Sequence, residues 1–200
     1  MSDRQILFSA PMIRALLDGR KTQTRRALKP PYGTLEFQSD GTWKPICTKF
    51  FPGDRLWVKE TWRPSISAAD PWHVAVLYPH TGDVKHWGWS SDADFGDWKI
   101  PKAAATGNVT PLFMPRWASR LTLTVTDVRV QRLHDMDRGD AMAEGCPFPN
   151  MAVGPDPRDW FHQLWNSIHG PDAWDANPWV VALTFDVHRR NIDQMAQANA

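Results

Sequence analysis

Apolar and polar positions along this chain repeat with periods that pick out its elements. The segment Gln5–Phe8 (QILF) reads as a short strand. Across Pro11–Asp18, Met12, Ile13, Leu16 and Leu17 recur at helical spacing, with Pro11 suited to the first turn and Gly19 to the C-terminal cap. The Thr-x-Thr alternation within Arg20–Arg26 predicts an extended strand leaving that cap. Pro30–Gly33 reads as a turn. In Phe51–Trp62, Pro-Gly-Asp turns the chain, and Leu56 and Val58 then alternate with Trp57 and Lys59 as a strand. Arg120–Leu133 alternates β-forming residues throughout and is the clearest strand of all. Asp135–Gly145 predicts a helix with Met136, Ala141 and Met142 on one side and Gly145 as its stop. Asp159–His169 predicts an amphipathic helix through Trp160, Phe161, Leu164, Trp165 and Ile168. Asn177–Val187 reads as a final, largely buried strand.

Between Arg63 and Thr110 the alternation dissolves into Pro, Gly, Asp and Trp, apart from a strand-like patch at His73–Tyr78 and a hairpin signal at Thr81–Gly82. Residues 63–110 are therefore expected to form a long Trp-rich insertion, a flap over the rest of the domain. Residues 191–200 are polar and unpatterned and are expected to fray as a flexible tail. The fold class expected is α+β: one domain over residues 1–190, built as a small, partly open β-barrel with two or three flanking helices.

Composition sharpens this picture in two places. Two hundred residues can bury roughly 70% of the unfolded surface, so no disulfide or metal is required for stability. Twelve Trp must sit in a core or line a groove, since exposing them all invites aggregation. Cys47 and Cys146 lie far apart and form no Cys-x-x-Cys unit, which fits free thiols in a cytoplasmic setting. No apolar run resembles a signal peptide or a membrane span, so no membrane partner is expected. Charge is unevenly placed: residues 1–60 carry eleven Lys and Arg against six Asp and Glu, whereas residues 61–200 carry twelve against sixteen. That basic N-terminal third suits a local phosphate or nucleotide, and the near-neutral total argues against coating long DNA.

The order of the motifs carries a family resemblance. The helix ending in GRKTQTRR, the turn and strand PGDRLWV, the strand RLTLTVTDVRV leading to DAMAEG, and the closing strand PWVVALTF resemble an ASCH domain of the PUA-like superfamily. MPRWASRLTL and WDANPWVV are similar to phage and prophage members that carry a Trp-rich insertion. The resemblance covers all but the last ten residues. It implies a bacterial type of amidohydrolase that removes the acyl group from N4-acetylcytidine, with Lys21, Thr24 and Glu144 as its catalytic set and no cofactor. Such an enzyme takes a nucleoside, and RNA is a further possible partner. A non-catalytic PUA-like module gripping RNA or a modified nucleotide, or a ribonuclease, is the alternative.

The chemistry stands on its own terms. A lysine partly buried in a pocket mouth is disfavoured as an ammonium, and its neutral amine becomes a usable base. That amine can take a proton from Thr24 or from a water, and the resulting oxygen attacks the acyl carbonyl. The departing cytosine amine needs a proton, which Glu144 can supply. Backbone N–H groups of Gly19–Thr22, or Arg25, are candidates to hold the oxyanion. Arg20, Thr22, Arg25, Arg26, Trp62, Arg116 and Trp117 are the expected substrate-binding residues. Each has a plainer reading: Lys21 amid Arg20, Arg25 and Arg26 as a solvated basic patch, Thr22 and Thr24 as strand residues, Glu144 as a solvated helix end. Trp72, Trp87, Trp89 and Trp98 of the insertion suit either a base-stacking platform or a hydrophobic cover. His80 and His86 have no Cys or carboxylate at ligand spacing, so no metal site is expected.

Overall fold

The computed structural model describes residues 2–29, 35–37, 39, 43–45, 49–67, 70–88, 98–148 and 154–197. The predicted turn at Pro30–Gly33, Cys47 and Trp89 lie outside the described residues, as does the side chain of Trp72. Among them the chain is mixed α+β, with eight strands in two sheets of five and three strands, a separate pairing of Leu35–Phe37 with Trp43–Pro45, and four helices. The strands are β1 (Asp3–Leu7), β2 (Gln23–Ala27), β3 (Leu35–Phe37), β4 (Trp43–Pro45), β5 (Arg55–Lys59), β6 (Arg63–Ser67), β7 (Asp70–Tyr78), β8 (Asp83–Gly88), β9 (Thr122–Arg132) and β10 (Trp179–His188). The helices are α1 (Ala10–Leu17), α2 (Arg138–Ala143), α3 (Pro157–His169) and α4 (Ile192–Gln197). No closed barrel forms among the described residues. Closure needs a partner on both sides of every strand, and β6 and β8 each have one neighbour, β7.

The sequence reads as one domain, whereas the chain divides into two compact units. Unit one comprises Met1–Asp3, Ala15–Arg55 and Leu123–Val187. Here β10 lies between β9 and β2, and β2 runs antiparallel to β10 with Thr24 opposite Leu183. Its core joins Leu133, Met136, Ala141, Phe161, Trp165 and Val180. The caps explain the helix limits. Asp137 accepts the Asp140 N–H at 2.7 Å while Asp140 accepts the Asp137 N–H at 3.3 Å, a reciprocal box that starts α2. Asp156 caps α3, with Pro157 in its first turn and Gly170 beyond its end.

Unit two comprises Arg4–Arg14, Leu56–Thr122 and His188–Ala200. β1 pairs with β5, and β6, β7 and β8 form an antiparallel sheet in chain order. Its core is Trp62, Val74, Val76, Tyr78, Ala104, Val109, Met114 and Ala118, with Ile66, Trp87, Trp98 and Trp117 packed against it.

This corrects the reading of residues 63–110 as a flap. The predicted hairpin is present, with β7 and β8 meeting around Thr81–Gly82. The described part of the segment packs as a sheet, because alternate residues Val74, Val76 and Tyr78 bury completely against Trp62. At roughly 1.5–3 kcal/mol for each large apolar side chain removed from water, this segment is a main support of unit two. The expected tail also differs: Ile192–Gln197 is helical and Ile192 is buried. Asn191 holds it, donating from Nδ2 to the carbonyls of Arg116 at 2.9 Å, Trp117 at 3.0 Å and Ser119 at 2.8 Å. That buried amide, together with Ile192 in the core and the Arg116–Asp193 ion pair, holds the segment.

Candidate active site

The site is built by the short path from α1 through Gly19 into β2. Gly19 takes φ 74° and lets the chain leave the helix, and the Arg20 and Lys21 N–H groups both donate to the Ala15 carbonyl at 3.0 Å. Lys21 then pairs with Glu144 as an isolated antiparallel bridge. Thr22 N–H donates to Ala143 O at 2.9 Å and Phe185 N–H donates to Thr22 O at 3.0 Å, so this stretch is laced between the end of α2 and β10. Glu144 is the C-terminal cap of α2, and Gly145 at φ 100° turns the chain away at once. A Cβ on Gly145 would lie 2.9 Å from Ala15 Cβ and 3.2 Å from Lys21 Cβ. Only glycine lets these three backbones close on one another.

Lys21 is 1% exposed and Glu144 2%. Lys21 Nζ donates to Glu144 Oε2 at 2.8 Å and to the Glu144 carbonyl at 2.8 Å. Arg25 NH1 donates to Glu144 Oε1 at 3.1 Å, and its NH2 lies 2.6 Å from Asp140 Oδ2. Arg25 NH1 also donates to Gln23 Oε1. Gln23 Nε2 in turn donates to Thr184 Oγ1 at 3.3 Å. Asp140 is further held by Arg129 NH2 at 2.9 Å.

Burial is the largest influence on Lys21 and pushes its pKa below the ordinary lysine value. The Glu144 charge and hydrogen bond oppose that shift, while Arg26 and Arg25 add to it. Burial likewise lowers the Arg26 guanidinium, against the pull of Glu144. Asp140 ends below the usual carboxylate range although burial raises it, because Arg129 and Arg25 stabilise its charge.

No family model, curated protein or solved structure matches this chain.

Of the predicted residues, the fold brings Lys21, Arg25 and Glu144 into direct contact. Arg20 lies beside them, its NH1 donating to Gly145 O at 2.8 Å and its NH2 to Asp18 at 2.8 Å. Thr24 is buried, but its hydroxyl makes no hydrogen bond to Lys21 or Glu144 among the described contacts. Alternation accounts for this, since the side chains of Gln23 and Arg25 meet and Thr24 lies between them on the strand. The Thr22 side chain is exposed.

Two expectations about the oxyanion need correction. The N–H groups of Gly19, Arg20, Lys21 and Thr22 all donate to backbone carbonyls, of Leu16, Ala15, Ala15 and Ala143. Arg25 is committed to Glu144, Asp140 and Gln23 with its side chain at 0% exposure. The backbone N–H groups are thus taken, and Arg25 NH1 is held by Glu144 and Gln23.

Trp62, Arg116 and Trp117 belong to unit two and are described there. Trp62 is fully buried in that unit's core, so it packs rather than presenting a face to ligand. Trp117 packs edge-on against Trp98 at 5.0 Å and Trp87 at 5.9 Å between ring centroids. Arg116 pairs with Asp193 at 2.6 Å. Gln23 and Asp140 were not singled out from sequence. The i, i+2 spacing of Gln23 and Arg25 on a strand was the available signal for the first, and the Asp137/Asp140 capping pattern for the second.

Proposed function

We propose that this chain is an amidohydrolase that removes the acyl group from N4-acylated cytidine or a related modified nucleoside. The resemblance to ASCH proteins, with their small, partly open PUA-like barrel, is part of the same proposal. The observation that carries it is the buried contact between Lys21 Nζ and Glu144 Oε2 at 2.8 Å. A lysine whose ammonium is disfavoured by burial, next to a carboxylate, is a base and a proton carrier in one pair.

In this reading the Lys21 amine takes a proton from a water, or from Thr24, as the oxygen attacks the acyl carbonyl. The C–N bond then breaks, and the exocyclic amine of cytosine leaves with a proton delivered from Lys21 through Glu144 Oε2. With water as the nucleophile the products are a carboxylic acid and the free nucleoside, and no cofactor enters the balance. Water fits the geometry better than Thr24, whose hydroxyl makes no bond to Lys21.

The experiment is the turnover of N4-acetylcytidine by the purified chain, followed by its ultraviolet spectrum. The wild type is expected to convert it and Lys21→Ala to lose at least about 100-fold in rate. Tight binding of the nucleoside or of RNA without turnover would instead favour a recognition module.

A further inference from the structure

The buried cluster holds more cation than a Lys–Glu pair needs. Glu144 has two carboxylate oxygens, and the fold gives one to Lys21 and the other to Arg25. Arg25 is anchored from behind, its NH2 2.6 Å from Asp140 Oδ2 and its NH1 donating to Gln23. Asp140 belongs to the first turn of α2 and Glu144 caps its last, so one guanidinium spans both ends of that short helix. The breadth of the guanidinium suits this: NH1 donates to Glu144 Oε1 while NH2 meets Asp140 as an ion pair, two carboxylates that a single ammonium cannot span.

We propose that Arg25 is a positioning residue of this site: it fixes Glu144 through Oε1, while Asp140 and Gln23 fix Arg25, so that Glu144 presents Oε2 to Lys21. It touches no substrate. The consequence is electrostatic. Guanidinium stays charged at any working pH, so Glu144 remains paired when Lys21 gives up its proton. Without Arg25, Glu144 would keep the charges of Lys21 and Arg26, and Lys21 would be held more firmly as an ammonium. The charged groups facing Lys21 are Glu144 from the end of α2 and Arg25 and Arg26 from β2, and both arginines act on it in the same direction. Arg20, next in sequence, spends its fork on Asp18 and the Gly145 carbonyl.

The role given to Lys21 as a base rests on the proposed hydrolase, but the titration that tests Arg25 does not. The full chain is labelled with 13C,15N-lysine, and the Lys21 signal is assigned by its loss in Lys21→Met. In Arg25→Gln the Lys21 midpoint is expected to rise by about one pH unit or more, as for loss of a neighbouring charge. The alkaline shift should appear equally in the pH profile of N4-acetylcytidine turnover. Arg25→Lys keeps a cation and should leave the Lys21 midpoint near that of the wild type. It should still lower kcat about tenfold or more, because one ammonium cannot hold Glu144 and Asp140 together. An unmoved Lys21 midpoint in Arg25→Gln, or wild-type kcat in Arg25→Lys, overturns the proposal. If Arg25→Gln does not fold, the kcat of Arg25→Lys decides alone. A raised midpoint in a chain that never turns over the nucleoside supports the role of Arg25 and removes the hydrolase reading; turnover with an unmoved midpoint does the reverse.

Discussion

Replacing Gly145 by alanine tests the packing that creates the site, and its cost can be worked from two sources. The residue sits at φ 100°, where an L side chain is strained by roughly 1–3 kcal/mol. The added Cβ also meets Ala15 Cβ at 2.9 Å and Lys21 Cβ at 3.2 Å, neither of them the free end of a flexible chain. Overpacking of this kind costs roughly 1–3 kcal/mol more. Gly19 provides the control, because its φ of 74° carries strain but a Cβ there meets nothing within 4 Å. The difference between Gly145→Ala and Gly19→Ala therefore isolates the steric part, about 1–3 kcal/mol. With a urea m-value of about 2 kcal/mol/M, that is a midpoint roughly 0.5–1.5 M lower for Gly145→Ala by far-ultraviolet circular dichroism. Coincident midpoints for the two variants would refute the claim that the backbones at 15, 21 and 145 are in contact. The same substitution displaces Lys21 from Glu144, so turnover should fall with it, whereas Gly19→Ala should keep most activity.

Other outcomes follow from the same structure. Lys21→Arg should be as inactive as Lys21→Ala toward N4-acetylcytidine, since guanidinium does not deprotonate; wild-type turnover would remove Lys21 as the base. Thr24→Val should keep substantial activity if water attacks, and complete loss would restore Thr24 as nucleophile. The lowered pKa values of Lys21 and Lys59 mean that the folded chain binds these protons less well than the unfolded chain. Their stabilising contribution is thus present above the unfolded lysine value and lost as pH falls through the folded one. Urea midpoints should rise as pH climbs toward the unfolded lysine value of about 10.4, and Lys21→Met should flatten part of that rise. Replacing Ser65–Gly107 by a Gly/Ser linker should abolish the cooperative unfolding of unit two, because it deletes Val74, Val76, Tyr78 and Ala104 from the core; a folded, unchanged unit would show those residues to be dispensable.

Much of the frame is legible in the periodicities. The strands within Arg120–Leu133 and Asn177–Val187, the helix within Asp159–His169 and the caps at Gly19 and Gly145 all stand within a few residues of where the pattern puts them. These are local signals, set by side-chain alternation and backbone freedom. Of the three-stranded sheet, the patch at His73–Tyr78 and the hairpin at Thr81–Gly82 were legible, whereas β6 was not, because Pro64 interrupts its alternation and its buried neighbour, Trp62, precedes it. At the site, Lys21 and Glu144 were found through motif order, and they do touch. The task of Arg25 was misread for a different reason. Its neighbours in sequence are cations, while the carboxylates that claim it, Asp140 and Glu144, lie more than a hundred residues on. Only the folded register β2 against β10 and the turn at Gly145 bring them together.

The threading of the chain through its two units bears on how it emerges from a ribosome. Unit two takes in residues 4–14 and 56–122 but also 188–200, and unit one needs residues 123–187 to supply β9, β10 and Glu144. The amide of Asn191, which grips three carbonyls of the 116–119 turn, is synthesised after all of them. The carbonyls of Arg116, Trp117 and Ser119 therefore gain this partner only after the 188–197 stretch has been made. Vectorial synthesis and the connectivity of this fold run against each other.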